Sequence, residues 1–87
     1  MSDAPTVEVP TAQAVLEHLV GSLVEDRDAV RIDVSEGRSS PRLTVRVGPD
    51  DMGRVIGKRG RVAQAIRTVT RAAAARDDSD VEVEFED

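Results

Sequence analysis

Gly53-Arg54-Val55-Ile56-Gly57-Lys58-Arg59-Gly60-Arg61-Val62 decides the reading of this chain. Met52, Val55 and Ile56 have the i, i+3, i+4 spacing of a short buried helix, and Gly57, free to take positive φ, ends it. Two basic residues then stand between a pair of glycines, and Arg61 opens a longer patterned segment. Glycines three apart let the backbone turn sharply and leave amides uncovered by Cβ atoms. The following helix directs its unpaired N–H groups and positive dipole end at the same spot. Lys58 and Arg59 can point only outward, and Arg54 and Arg61 flank them. The combination suits a phosphodiester backbone lying across the loop.

Charge supports the same reading. No acidic residue occurs from Met52 to Arg76, where Arg54, Lys58, Arg59, Arg61, Arg67, Arg71 and Arg76 supply +7, while the rest of the chain carries −12. A basic island in an otherwise acidic protein points to a polyanionic partner. Arg67, Arg71 and Arg76 are expected to be ordinary solvated helix charges, with Arg76 near a favourable helix C-terminus.

Eighty-seven residues make one domain, in which most apolar side chains must contribute to the core. The chain lacks cysteine, which excludes a disulfide framework and a thiolate metal site. Phe85 is the only aromatic residue, so modules that stack bases on several exposed rings are excluded. The acidic N-terminus has no long apolar run, so neither a signal peptide nor a membrane span is expected, and the expected location is the cytoplasm.

Residues 1–10 contain Pro5 and Pro10 and show no clear period, and a flexible arm is expected there, with Val7 and Val9 offering at most a short edge strand. Thr11 is the expected N-cap of a helix with Ala12, Val15, Leu16, Leu19, Val20 and Leu23 on one stripe. His18 lies off that stripe and is expected at the solvent edge. Val30, Ile32 and Val34, then Leu43, Val45 and Val47, alternate with polar residues, and the turn-rich stretch 36–41 joins them into a β-hairpin. Gly48-Pro49-Asp50-Asp51 starts the short helix, the two acids suiting its positive end. Val62, Ile66, Val69 and Ala73 form the expected core side of the helix over 61–75, which Asp77-Asp78-Ser79 stops. Val81, Val83 and Phe85 alternate with glutamates in a last strand. Arg42 and Arg46 are expected to face Glu82 and Glu84 on the outer sheet face. The result is a two-layer α+β domain over 11–87, a three-stranded sheet covered on one face by three helices.

Helix–G-x-x-G–helix, with Ile56-Gly57-Lys58-Arg59-Gly60 at the turn and strands on both sides, resembles the KH domain. In that family the loop clamps a backbone segment of about four nucleotides. The leading helix and strand resemble the type II arrangement, and the match over 11–86 resembles the small bacterial single-KH proteins of the KhpA type. The resemblance implies a mixed sheet whose second strand is central and parallel to the third. It implies that Gly57, Lys58, Arg59 and Gly60 hold phosphates, with Arg54 and Arg61 beside them. Val55, Ile56 and Val62 would form an apolar wall, and Arg38 and Arg42 would reach the strand from the opposite rim. It implies single-stranded RNA, or single-stranded DNA, as ligand. It also implies a homodimer, or a heterodimer with a larger KH protein of the KhpB/Jag type, in RNA chaperoning, post-transcriptional regulation and control of cell shape.

Gly53 and Gly57-Lys58 do not make a P-loop, because three residues rather than four separate the glycines and Arg59 stands where Ser or Thr is needed. No catalytic triad, paired-carboxylate cleft or metal cluster is visible, so no enzyme, cofactor or metal is expected, and no membrane partner. The competing reading is a protein-interaction module on a KH scaffold, with RNA binding incidental.

Overall fold

The computed structural model describes residues 8–86. Most of the expected arm lies outside them, including Val7. Val9, assigned to that arm, is instead buried in the core, and its carbonyl accepts from Gln13 N at 2.9 Å. Helix α1 (Pro10–Leu23) thus starts one residue before Thr11, with Pro10 in the first turn. A proline costs nothing there, since that N–H would lack a helical partner anyway. The Thr11 and Ala12 amides are satisfied from far along the chain, by Asp77 Oδ1 at 3.1 Å and Oδ2 at 3.0 Å. Asp77, and not Thr11, is the cap of α1.

Strands β1 (Arg31–Glu36) and β2 (Pro41–Arg46) form the antiparallel hairpin, closed by Gly37 N donating to Ser40 O at 2.9 Å. A 3-10 turn over Pro49–Asp51 leads into α2 (Met52–Ile56), and α3 (Arg61–Ala74) follows the glycine loop. Strand β3 (Glu82–Glu86) lies parallel to β2, which makes β2 central in a β1-β2-β3 sheet. Element order and strand directions are those implied by the KH resemblance.

Leu43 and Val45 of the central strand are fully buried and join Leu16 and Val20 of α1, Val55 of α2, and Ile66 and Ala74 of α3 in one cluster. The edge residues Ile32 and Val34 are only partly covered. On the opposite face Arg42 faces Glu82 as expected, at 3.3 Å. Arg46, however, pairs with Glu86 at 2.7 Å and not with Glu84, because the parallel register sets Arg46 beside Glu86.

One expectation fails, on α3. The buried positions of α3 are Ala63, Ile66, Thr70 and Ala74, while Val69 is 47% exposed and Ala73 only partly covered. Ala63 and Ala74 take the covered positions in place of Val69 and Ala73, and Thr70 Oγ1 is buried with no partner among the described residues. Asp51 stands at the start of its helix as expected, pairs with Arg54 of that helix, and also reaches beyond it. It is 3% exposed, and its carboxylate accepts from Glu25 N at 3.0 Å and Asp26 N at 3.1 Å. Those two hydrogen bonds, then Arg54, hold its carboxyl below the usual range against the cost of burial.

Candidate nucleic-acid interface

The glycine loop is one tight turn whose shape follows from three left-handed residues. Gly57 closes α2, donating to Gly53 O at 2.9 Å, with φ 76° and ψ 174°. That region is open essentially to glycine alone. A Cβ here would also stand 2.7 Å from Val62 Cβ, and nearer still to its Cγ2. Arg59 takes φ 57°, ψ 24°, a conformation uncommon for a long side chain. Gly60 follows at φ 73°, ψ 14° and is the N-cap of α3, which has no side-chain cap and no acid in its first turn. Nothing lies within 4 Å of where its Cβ would be.

Gly57 is therefore a packing glycine and Gly60 an open one. Lys58, Arg59 and Arg61 are exposed, and among the described residues none makes an ion pair or side-chain hydrogen bond. Three free cations and an uncapped helix start surround an unobstructed surface at Gly60, a combination suited to an anionic chain. Ile56 and Val62 are partly covered beneath the loop.

The remaining sequence-derived candidates lie elsewhere or are occupied. Arg54 is held by Asp51 at 3.1 Å and Glu25 at 3.5 Å, so it serves the junction between α1 and α2. Arg42 is engaged by Glu82 and, at 3.9 Å, by Glu84. Arg38 is exposed in the hairpin turn. Its neighbours Ser39 and Ser40 share an open cleft with Arg67 and Arg71, two and three turns along α3 from Gly60. The hairpin turn that carries Arg38 thus faces the middle and second half of α3, away from the loop at its start.

Arg67 departs from the expected solvated charge. Its Nε donates to Val83 O at 3.0 Å and an Nη to Gln64 Oε1 at 3.3 Å, and its guanidinium stands over the Phe85 ring, 5.4 Å from the centroid. A signal was present in the spacing: Gln64, Arg67 and Arg71 follow Gly60 at i+4, i+7 and i+11, one face of a helix. Among the described residues no group of three or more His, Asp or Glu side chains could hold a metal, and no helix is long and apolar enough to cross a membrane.

The sequence profile of the KhpA/KhpB KH domain matches residues 13–85. RNA-binding protein KhpA of Borreliella burgdorferi is 44% identical over 73 residues, covering 84% of this chain and 89% of that protein. The protein of the same name from Clostridium acetobutylicum is 47% identical over 71 residues, 82% and 95% of the two chains. That of Streptomyces coelicolor is 45% identical over 64 residues, 74% and 81%. Among solved structures, an Aquifex aeolicus Era variant bound to GDP and AlF4⁻ superposes with a TM-score of 0.63 at 14% identity, over 85% of this chain and 29% of that one. At that identity the likeness speaks for the fold alone.

Proposed function

This chain belongs to the KhpA/KhpB KH-domain family, and on that premise we propose that it is a non-catalytic RNA-binding protein that grips single-stranded RNA at its glycine loop. The observation that carries the reading is the unobstructed surface at Gly60, ringed by Lys58, Arg59 and Arg61, none of which has a partner among the described residues. Backbone amides and cations there hold phosphates, which sets position along the strand and carries little sequence information. A site with so few phosphate contacts binds weakly at physiological salt. Function therefore requires avidity, through a second copy of the chain or a larger KH protein of the KhpB/Jag type. RNA chaperoning and post-transcriptional regulation, with consequences for cell shape, are the roles such a module supports.

The test is fluorescence anisotropy with short single-stranded RNA. The double variant Lys58→Asp, Arg59→Asp is expected to lose about tenfold or more in affinity, with unchanged circular dichroism and melting temperature, because both side chains are exposed. Normal RNA binding by that variant would overturn the loop assignment. Retained partner capture with no measurable RNA binding by the wild type would favour a protein-interaction module instead.

A further inference from the structure

The family's loop accounts for phosphates, but it does not say what meets a base in a protein with a single aromatic residue. Arg67 offers an answer. It is half-buried and fixed by three contacts: Val83 O on β3, Gln64 on its own helix, and the Phe85 ring beneath it. An arginine side chain ordinarily surrenders considerable rotamer entropy when it stacks on a ligand. Here that ordering has already been supplied by the fold. The guanidinium is planar, and planar guanidinium groups are established partners for unstacked RNA bases.

Its setting is that of a binding subsite. Arg67 lines an open cleft of about 380 Å³ between the hairpin turn and the second half of α3, with Ser39, Ser40, Arg71 and Asp80 among the other walls. Arg71 is exposed and lacks a partner among the described residues, leaving it available for the phosphate that accompanies the base. Arg67 stands seven residues after Gly60, about 10 Å along the helix, so a strand held at the loop and running down this face reaches the cleft.

We propose that Arg67, backed by Phe85, is a stacking platform for one nucleobase of the bound RNA, in the cleft between the hairpin turn and α3. The proposal rests on the reading of the loop as the phosphate grip. Larger π faces stack more strongly, so purines are preferred at this position.

The test walks a single abasic ribose through a fluorescein-labelled RNA heptanucleotide and measures affinity at each position. For the wild-type protein, one position is expected at which removing the base costs about tenfold. In Arg67→Lys, which keeps the charge and loses the plane, that cost disappears, while the oligonucleotide abasic at that position binds wild type and variant equally. A purely structural or electrostatic role would weaken every oligonucleotide alike, and that outcome overturns the platform, as does a wild-type scan with no sensitive position. Should Arg67→Lys fail to fold, 2-aminopurine at the sensitive position decides: quenching on wild-type binding supports stacking, and unchanged fluorescence overturns it. The Lys58→Asp, Arg59→Asp variant separates the two readings. If it loses binding while the abasic scan is flat, only the platform falls; if the wild type binds none of the RNAs, the loop reading falls with it.

Discussion

Gly57 and Gly60 resemble each other in sequence and differ in physical role, which yields a prediction at the scale of one methyl group. Ala at Gly57 meets both a glycine-only backbone region and the Val62 side chain. Gly57→Ala is expected to lose about 2–4 kcal/mol of stability in urea unfolding. Gly60→Ala meets only the left-handed backbone cost, about 1 kcal/mol, since the space around its Cβ is open. That new methyl stands on the surface proposed for the phosphates, so RNA affinity should fall further than folding stability does. Equal stability losses for the two variants would contradict this division. The paired glycines and their basic insert were legible in the sequence, because turn chemistry is local. Their division of labour was not, because it depends on how closely Val62 approaches Gly57.

At the level of elements, distant carboxylates complete helix α1. Asp77 caps its first turn and Asp51 accepts from the amides just beyond its end. Burial pushes the Asp77 carboxyl up, but the Ala12 and Thr11 amides and the Thr11 hydroxyl outweigh it and hold it low; Asp51 is held low as well. A carboxyl whose folded value lies below its unfolded value of about 4 stabilises the fold above that pH. The contribution is lost as the pH falls through the lower, folded value. Asp77→Asn is therefore expected to melt several degrees below wild type at pH 7, on the order of 5 °C, with the gap narrowing as the pH falls below the unfolded value of about 4. A gap independent of pH would show that the charge of Asp77 contributes nothing. Helix α1 itself was legible from its apolar stripe, whereas its cap stands at the far end of α3 and sends no local signal. The core face of α3 was misread for a related reason. Val69 is the more hydrophobic residue, but Ala63 and Ala74 are the ones covered, and the packing of α3 against its neighbours overrides a one-helix pattern.

For the whole molecule, the decisive feature is separation of charge. Among the described residues three cations at the loop are left unpaired, because Arg54 is drawn away by Asp51 and Glu25. With Lys58, Arg59 and Arg61 making the contacts, the slope of log affinity against log salt should be near −2 for single-stranded RNA. Titrations at several salt concentrations check this, and a slope beyond about −4 would require contacts outside the loop and cleft. Element order, the two-layer architecture and the glycine loop all follow from local patterns of period two, period 3.6 and turn residues, which any stretch of chain carries within itself. Fold class and the position of the glycine loop could therefore be read before any coordinate. Which cations remain free, which carboxylate completes which helix, and that Arg67 lies braced over Phe85 were settled by folding. Each of those depends on residues far apart in the chain meeting through space, and pairing between distant groups leaves no trace in local periodicity.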